Sequence, residues 1–250
     1  MNAVIEQMLA HRSIRQFTDE PVDEIHVTAA IEAGQMASTS ASIQSYCIIR
    51  IRSEERRNRL IELTGNQTKV ARCGAFFVVC GDTRRHRLLV ERTGASYDAR
   101  FEAFLLAIVD ATLFAQNVLL AFESLGYGAC CIGGLRNDLP QVQELLGFPH
   151  GVYPLFGLCI GRPDQDPMRR PRLPIEQVLF EEQWPKDEAM LAAMDEYDQV
   201  VADYYQSRDG GAPDATVPRR DWNSQMIDKF IAPRRISIAP YYRQQGASLD

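Results

Sequence analysis

Residues 101–125 read FEAFLLAIVDATLFAQNVLLAFESL, and how this stretch is read decides the fold. Apolar side chains recur almost all round at helical spacing, so one long helix is expected from about 100 to 125, enclosed by protein on every side. In a chain of 250 residues such a helix is central or forms a dimer interface. Glu102, Asp110, Gln116, Asn117 and Glu123 interrupt it, so no window is expected to supply the roughly 20 apolar residues of a membrane span. Gly126 breaks the helix, and residues 127–132 (YGACCI) read as a strand. Working outward, residues 46–51 (YCIIRI) and 75–80 (AFFVVC) read as strands, with a helix over 53–63 capped by Ser53. A short helix over 137–146 and a last core strand over 152–160 (VYPLFGLCI) follow. Two helices precede all of this, one carrying Val4, Ile5, Met8 and Leu9, the other Ile25, Ala29 and Ala33. The reading is α+β, a sheet flanked by helices.

After Gly161 the composition changes. RPDQDPMRRPRLP is too polar for core and too stiff for a hinge, so an ordered, extended crossing segment is expected. A final helix over about 187–206 leads into RDGGAPDATVPRRD, which reads as a mobile loop. The division expected is a core over 1–180 and a C-terminal helical extension over 181–250, a segment with little core of its own to join.

With 46% hydrophobic and 24% charged residues, the chain has the balance of a soluble globular protein. A net charge of -6 gives no general attraction to nucleic acid or to an anionic membrane. The N-terminal residues show no secretory signal, so a cytoplasmic protein is expected. Six cysteines form no C-x-x-C pair and read as reduced, buried thiols; four scattered histidines offer no metal-ligand spacing, so no metal is expected.

Three segments carry chemistry. The first is His11-Arg12-Ser13-Ile14-Arg15, whose two guanidiniums and hydroxyl suit a phosphate and an electron-rich ring edge; the alternative is an arginine pair capping a helix C-terminus. The second is Cys131-Ile132-Gly133-Gly134, where glycines after a strand let backbone N–H groups reach a flat ligand; the alternative is a tight turn. Gly126 and Gly128 open a strand and follow a helix, the reverse of a dinucleotide fingerprint, which excludes that site. The third is residues 168–174, MRRPRLP, where prolines put Arg170 and Arg172 on one side of an extended chain; a solvated surface run is the alternative. No hydrolase elbow and no phosphate-binding loop of the nucleotidase type is present, which points to a bound cofactor carrying the reaction.

Taken together, HRSIRQFTDEPV, LTGNQ (residues 63–67), YGACCIGGLRND, PLFGLCIGRP and RPRLP resemble the nitroreductase family, in the order and spacing of its NADPH-dependent oxygen-insensitive subgroup A. The resemblance implies a three-layer, mostly antiparallel sheet in a domain-interleaved homodimer, the extension packing on the partner subunit. It implies noncovalent FMN with NADPH as donor, and ping-pong transfer of two electrons to nitroaromatics, quinones or free flavin. Carried onto this chain, it places Arg12, Ser13, Arg170 and Arg172 at the FMN phosphate and Arg15, the implied catalytic residue, beside the N1/C2 edge. His11 and Cys131 belong to the same cofactor-binding set. Gln67 contacts the ring edge, the backbone of Ile132, Gly133 and Gly134 faces N5, and Thr39 and Gln44 line the opposite wall from the partner. Arg208, helped by Arg219 or Arg220, reads the 2′-phosphate of NADPH. Two departures stand out: Thr39 replaces the usual serine, and the loop after Arg208 is longer and richer in glycine and proline. The rivals are a dedicated reductase feeding flavin to a monooxygenase, and a non-catalytic flavin-binding regulator.

Overall fold

The computed structural model describes residues 2–98, 100–208, 221–232 and 234–249. The chain begins with α1 (Ala3–Leu9), capped by the Asn2 side chain, and α2 (Glu24–Gln35). A short turn over Ser40–Ser42 leads into β1 (Tyr46–Ile51), α3 (Glu54–Leu63), α4 (Lys69–Arg72) and β2 (Ala75–Asp82). Next come α5 (Arg84–Glu91), α6 (Phe101–Ser124), β3 (Gly128–Ile132), α7 (Leu139–Leu146) and β4 (Val152–Gly161). The C-terminal part holds α8 (Asp187–Arg208), α9 (Trp222–Ile231) and α10 (Ile238–Gln244). Ser53 caps α3 by accepting from Arg56 N, as its position before that helix requires.

The strands run in the order β1-β2-β4-β3, every neighbouring pair antiparallel. Alternation along them builds two cores. One face, with Phe77, Val79, Leu158 and Ile160, is covered by α6; the other, with Phe76, Val78, Ile132 and Cys159, packs with Leu60 and Leu63 of α3 and Val142 of α7. β2 is buried on both faces along its whole length, which is why its sequence is a continuous apolar run. Each large side chain removed from water there contributes about 1.5–3 kcal/mol.

Two compact units emerge, one formed by residues 1–167 with 235–250, the other by 168–234. The boundary expected at 180 lies within the second unit. The end of the chain does join a core, contrary to the sequence reading: Tyr241, Tyr242 and Ala247 are buried in the first unit with Phe104 and Tyr153. Their pairing with residues far upstream leaves no local periodicity to read.

Within the single chain α6 is covered along one side. Phe104, Ala111, Phe114, Val118 and Phe122 are buried, whereas Phe101, Leu105, Val109 and Leu113 form an exposed stripe four residues apart. By length and composition α6 does reach what a membrane span needs, with a mean hydropathy of 1.9, despite the polar residues counted against it. Its inner face packs on the sheet, as a core helix does. Asp110 on that helix is 2% exposed and accepts from Thr39 Oγ1 (2.6 Å) and Ser45 N (3.0 Å). The cysteines depart from uniform burial as well: Cys131 is exposed and Cys47 half-buried, while Cys73, Cys80, Cys130 and Cys159 are buried.

Candidate functional site

The segment of the first motif lies along the outer edge of β3. Ser13 bridges Ala129 in parallel fashion and Ile14 N donates to Ala129 O at 2.9 Å. This close approach needs glycine at 128, because a Cβ there would sit 2.7 Å from Ile14 Cβ. Phe17 bridges Pro163, so the chain leaving β4 runs back along the same segment. The sheet therefore fixes the backbone that carries Arg12, Ser13 and Arg15, and a helix-capping role for the two arginines is not what the geometry provides.

β3 ends in a single turn over Gly133–Asn137. A Cβ on Gly134 would lie 2.2 Å from Gln67 Nε2 and 2.3 Å from Thr64 O, so the turn is pressed against the 63–67 loop and only glycine fits. Gln67 Nε2 donates to Thr64 O at 2.8 Å, which ties down the nitrogen end of the amide and leaves Oε1 to accept. A Cβ on Gly133 would meet nothing nearer than Arg136 Nη2 at 3.5 Å, so that glycine is open on its outer side. Three segments distant in sequence thus meet around β3: His11–Arg15, 131–134 and 63–67.

The individual side chains are held as follows. His11 Nδ1 lies 2.6 Å from Glu123 Oε1, and that carboxylate is buried on α6 with Oε2 unpartnered. Arg12 is ion-paired with the exposed Asp166 and donates to Pro167 O at 3.4 Å. Arg15 is exposed and donates to Ser13 O at 3.2 Å. Desolvation pushes the Cys131 thiol up to about 11, with Cys130 and Glu123 adding to the rise. Thr39 and Gln44 meet at Asp110: the Thr39 hydroxyl donates to that carboxylate and accepts from Gln44 N at 2.9 Å. Ala41, Ser42 and Gln44 all have φ between 46° and 58° in this loop, a left-handed conformation that the polar anchors hold in place.

In the second unit, Arg170 Nη2 donates to Tyr205 OH at 2.9 Å and Tyr205 OH donates to Gln225 Oε1 at 3.3 Å. The Arg208 guanidinium lies 4.8 Å from the Tyr205 ring centre. Tyr197 OH donates to Pro171 O at 3.0 Å, fixing the backbone between Arg170 and Arg172. Burial raises the Tyr197 phenol, and Arg170 and Arg172 oppose that rise. Arg219, Arg220 and the loop expected after Arg208 lie outside the described residues.

Sequence reasoning missed Glu123, Asp110 and Tyr205. The signal for the two acids was present: both are carboxylates set within the largely apolar α6, and a buried charge there needs a partner. Tyr205 gave no signal, since a tyrosine on a helix face reads as core.

The donor set fits a phosphorylated flat cofactor. Guanidiniums and a hydroxyl on a rigid edge suit a phosphate, and the outward-open Gly133 next to the Gln67 amide suits a ring brought against backbone. The sheet layered between helices carries these donors along its β3 edge. Residues 8–162 match the Nitroreductase family, and residues 170–250 match the Nitroreductase family, C-terminal domain. The chain is 41% identical over 251 residues to the oxygen-insensitive NADPH nitroreductase of Salmonella typhimurium, covering 98% of each. It is 40% identical over 246 residues to the NADPH-flavin oxidoreductase of Vibrio harveyi, again covering 98% of each. Among solved structures, B. megaterium NfrA1 superposes with a TM-score of 0.93 at 40% identity, over 98% of this chain and 99% of that one. This chain belongs to the nitroreductase family.

Proposed function

We propose that the chain is an FMN-dependent oxidoreductase that takes two electrons from NADPH and passes them to nitroaromatics, quinones or free flavin. The observation that carries this reading is the meeting of Ser13, the open glycine turn and Gln67 at one edge of the sheet. Bound noncovalently, FMN would supply the two-electron chemistry between donor and acceptor.

The roles of the chain's residues follow from their chemistry. Arg12 and Ser13 hold the cofactor phosphate by charge-assisted donation, and the same type of role is proposed for Arg170 and Arg172. Arg15 is the fixed cation that stabilises negative charge gathering at the N1/C2 edge. Gln67 accepts at the ring edge, and the backbone of Ile132, Gly133 and Gly134 presents N–H groups toward N5, with His11 and Cys131 flanking them. Thr39 and Gln44 form the opposite wall, with the Thr39 hydroxyl committed to Asp110. Arg208, joined by Arg219 or Arg220, reads the donor's 2′-phosphate.

The exposed stripe of Phe101, Leu105, Val109 and Leu113 supports a homodimer built on α6; of the extension proposed to pack on the partner subunit only residues 181–234 remain, since 235–250 join the first unit's own core. A cytoplasmic setting, with no nucleic acid or membrane partner, belongs to the same proposal. One observation favours a second reading, a reductase that releases reduced flavin to a monooxygenase: Arg12 is paired with Asp166, a carboxylate competing for a phosphate-holding cation. Equilibrium dialysis with FMN, then NADPH consumption with nitrofurazone or free FMN as acceptor, tests both. One FMN per chain and acceptor-dependent oxidation are expected; a protein that takes up no FMN would overturn the reading.

A further inference from the structure

Among the described residues, two cysteine pairs remain outside that function: the Cys73 and Cys159 thiols, and the Cys47 and Cys80 thiols. The last pair carries an inference furthest. Cys47 and Cys80 are direct partners in the antiparallel register of β1 and β2. The phase of that ladder is set by Asp82 N donating to Ser45 O at 2.9 Å, which makes Ser45 and Asp82 a hydrogen-bonded pair. Two residues on, Cys47 and Cys80 form a pair of the same type, whose Cα atoms stand about 5.5 Å apart. That is the separation a disulfide favours, roughly 5.5–6 Å. The side chains share one face of the sheet, both belonging to the core beneath it.

Access differs sharply among the six cysteines. β1 is an edge strand, and Cys47 is half-buried there, whereas Cys80 is completely buried. The neighbouring Cys80 thiol draws the Cys47 thiol below its ordinary range, and burial leaves Cys80 well above it. One thiol is thus placed to attack and the other to resolve. Cys73 and Cys159 donate to the backbone carbonyls of Val70 and Lys69 and are 3% and 0% exposed, so an oxidant in water cannot reach them. Cys131 is exposed, yet its thiol is held at about 11 and little of it is ionised.

We propose that Cys47 and Cys80 are a peroxide-oxidisable dithiol whose disulfide reversibly staples β1 to β2. The Cys47 thiolate attacks one oxygen of a hydroperoxide, the O–O bond breaks, and the departing oxygen leaves with a proton, as water when the oxidant is hydrogen peroxide. Cys47 is then a sulfenic acid. The Cys80 sulfur attacks the Cys47 sulfur, the S–OH bond breaks, and hydroxide leaves with the Cys80 proton as a second water. Two thiols lose two electrons and two protons, and the peroxide is reduced.

The test uses the full chain, purified reduced, exposed to hydrogen peroxide, blocked with iodoacetamide and digested without reductant for mass spectrometry. The expected product is a peptide pair linked through Cys47 and Cys80 that dithiothreitol separates. In Cys80→Ala, dimedone should label Cys47 and no link should form, and Cys47 should react ahead of Cys131. If Cys80→Ala does not fold, the linked peptide of the native chain decides. Oxidation confined to Cys131, or a link between Cys73 and Cys159 in its place, would overturn the proposal.

Discussion

The two units aim their cations in different ways. In the first, Arg12, Ser13 and Arg15 ride on a backbone bridged to β3, and the glycine turn is wedged against Thr64 and Gln67. In the second, Arg170 and Arg208 lean on one tyrosine, and the backbone between Arg170 and Arg172 is held by another. The first arrangement is set by main-chain packing and tolerates no added atom. The second is set by side-chain contacts, which re-form at small cost. Substitutions should therefore couple stability to cofactor binding in the first unit and separate them in the second.

Gly134→Ala is the strongest attempt to break that contrast. The new methyl has Thr64 O at 2.3 Å and Gln67 Nε2 at 2.2 Å, so the turn must move. A loss of about 1–3 kcal/mol in unfolding free energy is expected from overpacking, with FMN affinity falling alongside. Denaturant melts and FMN fluorescence titration on the same preparation measure both. Unchanged stability would mean that the turn is not clamped.

Arg208→Ala should do the reverse. Losing a charge-assisted contact of about 1.5–3 kcal/mol raises KM for NADPH roughly ten- to a hundredfold and leaves NADH nearly unaffected. The ratio of kcat/KM for the two donors is the diagnostic, since damage to fold or flavin loading lowers both together. An unchanged ratio here and in the Arg219/Arg220 double variant would remove the 2′-phosphate assignment.

How much of this was legible in the sequence depends on the range of the forces involved. β1, β2, β3, β4, α3 and α6 are written in local periodicity and caps, and each was readable to within a residue or two. The short helices α4, α5, α9 and α10 were not, because four to ten residues of weak apolar pattern are stabilised by neighbours far along the chain. Within the site, glycines 133 and 134 announced a close approach, but not that Gly134 meets Gln67 while Gly133 stays open. Thr39 was readable as a hydroxyl and not as the partner of Asp110, seventy-one residues away.

Tyr205→Phe makes a smaller change, removing the hydroxyl that accepts from Arg170 and donates to Gln225. A net loss of about 0.5–1.5 kcal/mol should appear in the FMN dissociation constant with little effect on the melting transition. An equal fall in stability would place the second unit under the same main-chain control as the first.

Arg15 separates reaction from binding. Arg15→Ala should lower the FMN midpoint potential and slow reduction by NADPH, while FMN binding weakens less than in Arg172→Ala. Potentiometry of the reconstituted variant checks this, and an unaltered potential would take Arg15 out of its role.

The central claim is that electrons pass from NADPH to the acceptor through FMN held at the β3 edge. Anaerobic rapid mixing of the FMN-loaded chain with one equivalent of NADPH, without acceptor, tests it most directly. The account predicts that the flavin absorbance bleaches in a single turnover and returns when nitrofurazone is then added. Flavin that stays oxidised under NADPH, or that reacts only when donor and acceptor are present together, would contradict it.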